Sequence, residues 1–276
     1  MKSFLLITAA ALALVSCENT PDEKPRPILP MSPQLLLDGT SAPSAATRAT
    51  IPNLSESLNR GLLATIGNPT AAKKRLFKSY TSAKAERAGG WSRGLDFSGV
   101  AWDTKRAGTL LHPRIAIVAK HYPRAQGSNI TFHNRRGNPE TRVIVETATL
   151  KTTDIQVLLL DSPLLDCAVY KLLPTNYDWG QALLGSFILA TDQERKLHLH
   201  TLSRSMLDHI GHHGGGVPPI LYEKLVLGDS GHPSFLAYGN NNLVLLGLHW
   251  TAHSDSSLIS EAVQTELRNV AVNLLN

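Results

Sequence analysis

The residues best suited to chemistry lie in the run Gly228-Asp229-Ser230-Gly231-His232-Pro233. Glycines on both sides of the Asp-Ser pair allow a tight turn whose backbone N–H groups can be directed at one point. A serine hydroxyl is a weak nucleophile on its own, and it needs a neighbouring base to take its proton. The run therefore predicts a nucleophilic Ser230 whose base comes from elsewhere in the chain.

Two other runs offer that base and an acidic partner for it. His121 follows the apolar run Arg114-Ile-Ala-Ile-Val-Ala, at the end of a predicted strand. Asp154 opens the apolar run that begins at Ile155, and Asp161 follows the same run. Histidine, aspartate and serine together can supply a base, a group that orients the base, and a nucleophile.

These three runs, in the order His, Asp, Ser, resemble the motifs of the chymotrypsin-like serine peptidases. That family has Gly-Thr-Leu-Ile before a strand that ends in Ala-Ala-His-Cys, then Asp-Ile-Ala-Leu-Leu with a proline shortly after, then Gly-Asp-Ser-Gly-Gly-Pro. The matching runs here are Gly108-Thr-Leu-Leu, Ala119-Lys-His, Asp154-Ile-Gln-Val-Leu-Leu with Pro163, and the run around Ser230. The resemblance covers residues 98–276, and the proline favours Asp154 over Asp161.

The resemblance implies an all-β fold in residues 95–276, with two packed antiparallel Greek-key β-barrels and a C-terminal helix. It implies that Ser230 attacks a peptide bond, that His121 acts as general base and that Asp154 orients the imidazole. The backbone N–H groups of Gly228 and Ser230 would form the oxyanion hole. The expected activity is that of a serine endopeptidase acting on proteins or peptides without a cofactor.

Several positions depart from the family pattern. His232 replaces the second glycine after the nucleophile, and Tyr122 replaces the cysteine after the catalytic histidine. No Ile-Val-Xaa-Gly follows a lysine or arginine between residues 18 and 95, so the familiar activation cut has no visible site. Asp229, the usual ion-pair partner of the new N-terminus, is nevertheless present. An inactive homologue that serves as a binding module is therefore the alternative function.

Two residues suggest a substrate preference. Lys120 and the run Gly247-Leu-His-Trp are similar to the glutamyl endopeptidase branch, in which a histidine in the matching strand contacts an acidic side chain. His249 and Lys224 would thus form a pocket for a carboxylate, because charge-assisted hydrogen bonds are stronger than neutral ones. The alternative is that Lys224 points to solvent and that His249 packs in the core.

A second concentration of chemistry is a group of histidines, namely His198, His200, His209, His212 and His213. Such a group could ligate zinc or another divalent ion. No His-Glu-x-x-His motif occurs, and histidines in glycine-rich loops are often only polar surface. The sequence therefore predicts no metal site, and a structural lipoprotein whose histidines bind metal remains a third possibility.

The N-terminus has the pattern of an export signal. Lys2 precedes an apolar stretch at residues 4–15, which is too short for an ordinary transmembrane helix. The junction Leu14-Val-Ser-Cys17 resembles a bacterial lipobox, which implies a signal peptide over residues 1–16 and a lipid anchor on Cys17. A plain signal peptide that contains a cysteine is the alternative. We expect an exported protein anchored to the membrane of a bacterial cell envelope.

Three regions follow the predicted signal. Residues 17–50 are rich in Pro, Ser, Thr and Ala and predict a disordered tether. Residues 51–94 predict two helical stretches, the first from Leu54, Leu58, Leu62 and Ile66, and the second around Leu76, Phe77 and Tyr80. This region could be a pro-segment, an extension packed on the domain, or a spacer. From residue 95 short β-type runs alternate with turns, and residues 259–274 have the spacing of a final helix.

The composition excludes several classes of protein. Hydrophobic residues make up 42% and charged residues 18%, so the chain is too apolar to be mostly disordered. The net charge is +5, but no basic stripe is interleaved with aromatic residues, and we expect no nucleic-acid partner. Cleavage before Cys17 and acylation of its thiol would leave only Cys167, so an internal disulfide is excluded.

Overall fold

A computed structural model of the chain describes residues 54–68, 74–102, 106–175, 177–238 and 242–276. The predicted signal peptide, Cys17 and the predicted tether lie outside these residues. No helix within the described ranges is long and apolar enough to cross a membrane.

The first of two β-barrels takes up the first half of the predicted catalytic domain. Its six strands are β3 (Val100–Ala101), β4 (Gly108–His112), β5 (Ile115–Ala119), β6 (Asn129–His133), β7 (Pro139–Thr149) and β8 (Ile155–Leu160). They are hydrogen-bonded in the order β3-β4-β5-β8-β7-β6, and every pair is antiparallel. The edge strands β3 and β6 contact each other, so the sheet is nearly closed.

The second barrel repeats this arrangement. Its strands are β9 (Phe187–Thr191), β10 (Leu197–Ser205), β11 (His209–His213), β12 (Pro233–Tyr238), β13 (Asn242–Thr251) and β14 (Ser254–Ser257). The ring is closed in the order β10-β11-β14-β13-β12-β9, with antiparallel pairs throughout. The strand β12 returns to lie beside β9, which is the connection of a Greek key. The predicted two-barrel, all-β fold is confirmed.

One hydrophobic core joins the two barrels. It contains Ile117 and Val157 from the first barrel together with Leu189 and Phe235 from the second. All residues of β5 and β8 are buried, as their nearly unbroken apolar sequences require. The polar exception in β8 is Gln156, whose side-chain amide is hydrogen-bonded to the backbone of Arg124.

The described part of the N-terminal segment packs on the barrels. It begins with helix α1 (Leu54–Ile66), whose buried residues are Leu58, Leu62 and Ile66, as the spacing predicts. The second predicted helix is instead a hairpin of β1 (Phe77–Tyr80) and β2 (Ala85–Arg87).

Tertiary contacts explain why this hairpin replaces a helix. The ring of Phe77 packs edge-on against Trp102, with centroids 5.5 Å apart. The Leu76 side chain is fully buried, and its backbone N–H donates to the carbonyl of Arg195. Aromatic residues favour extended backbone when they pack on a sheet, so these contacts outweigh the helix-forming Lys, Arg and Ala around them.

Two helices complete the second half of the chain. The short α2 (Trp179–Ala182) is capped by Asp178, and α3 (Glu261–Leu275) begins at Ser260, whose hydroxyl accepts the N–H of Val263. Helix α3 buries Val263, Leu267 and Leu274, so the predicted C-terminal helix is confirmed.

Glu266 of α3 holds the turn that leads into β8. Its carboxylate accepts the N–H groups of Lys151 (2.6 Å) and Thr152 (3.0 Å) and the Thr152 hydroxyl. Burial alone would raise the pKa of Glu266, but these donors stabilise the carboxylate and lower the pKa below its usual value. The turn that precedes Asp154 is thereby tied to the C-terminal helix.

We expect Glu266→Gln to lower the free energy of unfolding at pH 7 by about 1 kcal/mol, since a half-exposed, solvent-screened carboxylate loses its charge-assisted bonds. A lowered folded-state pKa stabilises the protein above the unfolded pKa, and this contribution is lost as the pH falls through the folded value. Urea unfolding should therefore show a smaller difference at pH 3 than at pH 7. Glu146→Gln removes an exposed charge from β7 and serves as control; equal effects of the two variants would contradict the prediction.

Candidate active site

The first two site residues are brought together by strand pairing. The last residue of β5, Ala119, pairs with the first residue of β8, Ile155. His121 follows β5 and Asp154 precedes β8, so both lie at the same end of the first barrel. The N–H of Lys120 donates to the carbonyl of Asp154 at 3.1 Å, which continues the ladder beyond the strands.

The side chains of His121 and Asp154 are directly hydrogen-bonded. The backbone N–H of His121 donates to Oδ1 of Asp154 at 2.9 Å, and the ring Nδ1 is bonded to Oδ2. An ionised carboxylate only accepts, so Nδ1 carries the proton and Nε2 presents a lone pair. The Asp154 side chain is 11% exposed and that of His121 is 41% exposed, so the carboxylate is enclosed while the base remains accessible.

Asp161, the other candidate carboxylate, lies away from this pair. It follows the far end of β8, where its Oδ1 accepts the N–H of Val143 at 3.2 Å. The geometry therefore gives His121 a single acidic partner, which is Asp154.

The loop around Ser230 is anchored by the neighbouring Asp229. The Asp229 carboxylate is 3% exposed and accepts the N–H groups of Gln193 (3.1 Å) and Val226 (2.7 Å). Gly228 and Gly231 have φ values of +104° and +82°, a backbone region that favours glycine. A buried charge and two glycines thus fix the turn that presents the half-buried Ser230.

This loop lies against the strand that carries His121. A side-chain carbon built on Gly231 would stand 3.3 Å from the backbone nitrogen of Ala119, so the two backbones approach closely. The N–H of Gly231 also donates to the carbonyl of His249 at 2.8 Å. The loop therefore packs against the end of β5, two residues before His121.

The hydrogen bonds of this loop leave three groups available. Within the described part of the chain, the Ser230 hydroxyl makes no hydrogen bond, including none to His121. The N–H groups of Gly228 and Ser230 likewise donate to no acceptor among those residues. Two unengaged N–H groups beside a serine are the donors that an oxyanion hole requires, and catalytic hydrogen bonds often tighten only when substrate binds.

His232, which departs from the family pattern, points into the second barrel. Its ring is fully buried, and Nδ1 bonds to the carbonyl of Asp229 at 3.0 Å. Burial lowers the pKa of His232 to about 3, so the ring is neutral at physiological pH. The ring is therefore enclosed in the protein interior.

The two residues expected to bind an acidic side chain differ in their exposure to solvent. His249 is 1% exposed, and its ring nitrogens are bonded to Oδ1 of Asp255 (2.6 Å) and the carbonyl of Thr191 (2.8 Å). Lys224 is exposed. With His249 enclosed, a preference for acidic side chains would rest on Lys224, and it stays a prediction.

The clustered histidines divide into an inner and an outer group. His198, His200 and His212 are buried in the second barrel, whereas His209 and His213 lie near the surface. Nε2 of His198 bonds to Oδ2 of Asp192 at 2.8 Å. Burial, reinforced by neighbouring histidines, lowers the pKa of His200 to about 2.

Sequence reasoning missed that His249 and Asp255 join the inner group. The signal was present in part, because Leu197-His-Leu-His alternates and must place His198 and His200 on one face of a strand. The partners on β13 and β14 are distant in sequence, and only barrel closure brings them near.

No protein-family model matches the chain, and no curated protein matches it in sequence. The two six-stranded antiparallel barrels are compatible with the double-barrel fold of trypsin-like peptidases. The function is therefore inferred from the fold and the side-chain geometry.

We expect Asp154→Asn to lower kcat by about 10⁴-fold, because an amide would favour the wrong imidazole tautomer while the packing is kept. Steady-state hydrolysis of a casein or peptide-library substrate measures the change. Asp161→Asn is the matched control, and it should retain the wild-type rate. A large loss in the Asp161 variant with little loss in the Asp154 variant would overturn the assignment.

Proposed function

We propose that this protein is a serine endopeptidase that hydrolyses peptide bonds through an acyl-enzyme on Ser230. The observation that carries the proposal is the hydrogen-bonded His121–Asp154 pair at the barrel end against which the Ser230 loop packs. The first barrel carries His121 and Asp154, and the second barrel carries the loop with Ser230. A serine nucleophile needs a base close by, so the proposed site depends on how the two barrels pack together.

The proposed reaction begins with attack by Ser230 Oγ on the scissile carbonyl carbon. His121 Nε2 takes the hydroxyl proton, and Asp154 holds Nδ1–H and stabilises the imidazolium. The tetrahedral oxyanion accepts the N–H groups of Gly228 and Ser230. His121 then gives its proton to the leaving amine, and an ester to Ser230 remains. Water, deprotonated by His121, then attacks the ester carbonyl. His121 returns the proton to Ser230 Oγ as the ester bond breaks, and the carboxylic acid product leaves.

The internal bonds of Asp229 support activity without an N-terminal cut. Two backbone N–H groups already satisfy its buried carboxylate, so the loop does not need an ammonium group to hold its shape. This fits a sequence in which the usual activation motif is not visible.

We expect a fluorophosphonate probe to label the wild-type protein and not Ser230→Ala, because only a serine activated by a base reacts readily. Labelling is measured by mass spectrometry of the intact chain and of its peptides. The matched control is Ser203→Ala, which removes an exposed serine from β10 and should label like wild type.

The alternative function gives a different result in the same experiment. An inactive homologue that acts as a binding module would fold normally and leave Ser230 unlabelled. Such an outcome would fit the absence, within the described residues, of a hydrogen bond between the Ser230 hydroxyl and His121. The serine would then have no base to take its proton.

We also propose that the peptidase is anchored to the bacterial cell envelope through lipid on Cys17, which lies outside the described residues. We expect Cys17→Ser to move the protein from the membrane fraction to the soluble fraction, because the acyl chains supply the membrane affinity. Fractionation followed by immunoblotting measures the shift. Cys167→Ala is the control, since burial raises the pKa of that thiol to about 12 and leaves it unreactive. Equal membrane retention of Cys17→Ser would contradict the anchor.

A further inference from the structure

We propose that His212, His249 and Asp255 form a buried binding site for a first-row divalent metal ion, of which zinc is the best match. The site lies inside the second barrel and is independent of the proposed peptidase reaction. It would have a structural role, because all its ligands come from the barrel interior.

The three residues converge from three adjacent strands. His249 of β13 and Asp255 of β14 are directly opposite each other in register. Asp255 also pairs with Ile210 of β11, and His212, two residues further on, shares that strand face. One ring nitrogen from each histidine and a carboxylate oxygen lie within 4.8 Å of one another, and all three residues are buried.

The outer hydrogen bond of His249 determines which of its nitrogens is protonated. Its Nε2 lies 2.8 Å from the carbonyl of Thr191, and a carbonyl oxygen can only accept. Nε2 therefore carries the proton. In the neutral ring, Nδ1 has a bare lone pair, and this nitrogen is 2.6 Å from Oδ1 of Asp255.

The same reasoning applies to His212 through His200. Nε2 of His200 is 3.0 Å from the carbonyl of Glu223 and must donate to it, so the neutral His200 ring has its lone pair on Nδ1. That nitrogen faces Nδ1 of His212 at 2.9 Å, and His212 must supply the proton between them. Nε2 of His212 is then unprotonated, 3.1 Å from the same Oδ1 of Asp255.

With both rings neutral, two nitrogen lone pairs and a carboxylate would face one another in the buried barrel interior. A positive charge, from a metal ion or from protons on the ring nitrogens, is then needed between them. Protons on Nδ1 of His249 and Nε2 of His212 would supply it, but both N–H groups would then donate to the same oxygen, Oδ1. The other oxygen, Oδ2, is buried and has no hydrogen-bond partner within the described chain. A metal ion would engage Oδ2 as well as both nitrogens.

The donor set fits zinc. Two imidazole nitrogens and the Asp255 carboxylate would supply three of the four positions around a tetrahedral ion, and the outer hydrogen bonds to Thr191 and His200 are those that orient ligating histidines. Ligands about 2.1 Å from a tetrahedral ion are about 3.4 Å apart. Binding would thus lengthen the contacts of Oδ1 with His249 Nδ1 (2.6 Å) and His212 Nε2 (3.1 Å). Because the site is enclosed, the ion would enter as the barrel folds.

The test uses the full chain, unfolded with a chelator and refolded with excess Zn²⁺ or Co²⁺, followed by removal of free metal. We expect one equivalent of tightly held metal per chain, and the visible absorption of tetrahedral Co²⁺ in the cobalt form. Asp255→Asn should retain at least tenfold less metal. Asp192→Asn, which removes a buried carboxylate paired with His198 in the same barrel, should retain the wild-type amount.

The outcomes separate this site from the peptidase proposal. Ser230→Ala should bind metal like wild type, so loss of hydrolysis and loss of metal are independent results. Background metal content in wild type, or a Co²⁺ form without tetrahedral absorption, would overturn the metal site and assign the buried charge to protons. If Asp255→Asn does not refold, the wild-type metal content and Co²⁺ spectrum decide alone.

Discussion

The antiparallel pairing of β5 with β8 is the constraint on which the proposed active site depends. Both strands are buried on both faces, so a slip of one residue would exchange side chains between two packed faces and disrupt the packing of both. The register Ala119↔Ile155 therefore fixes where His121 and Asp154 leave their strands. The hydrophobic core of the first barrel thus positions the His121–Asp154 hydrogen bond of the proposed site.

The second barrel carries the loop of the proposed nucleophile, Ser230, and Gly231 of that loop lies close to the backbone of the first barrel. Gly231 can lie against Ala119 because it has no side chain. Glycine also adopts the positive φ of this position without strain. The buried carboxylate of Asp229 then holds the turn through two backbone amides. A side chain at position 231 would lie 3.3 Å from Ala119 and would strain a backbone with a positive φ, so glycine suits this contact.

The interior of the second barrel is unusually polar. His198, His200, His212 and His249 are all nearly inaccessible, with Asp255 among them. Each such group costs free energy unless it is bonded, and backbone carbonyls at both ends of the chain of rings meet part of that demand. The carbonyl groups at the two ends therefore fix the orientation of these rings. The positive charge at the centre would come from the proposed metal ion.

The sequence by itself determined the strands of the two barrels, the first and last helices, and the residue types of the proposed active site. Apolar runs with short turns specified the strands, the spacing of Leu58, Leu62 and Ile66 specified a helix, and the motif residues specified the chemistry of a serine, a histidine and an aspartate. Tertiary structure alone decided the hairpin at Phe77 and the enclosure of His249 beside Asp255, and it agrees with the sequence in pairing His121 with Asp154 rather than with Asp161. The physical reason is that local patterns encode which face of an element is apolar, whereas partners distant along the chain are set by register and barrel closure.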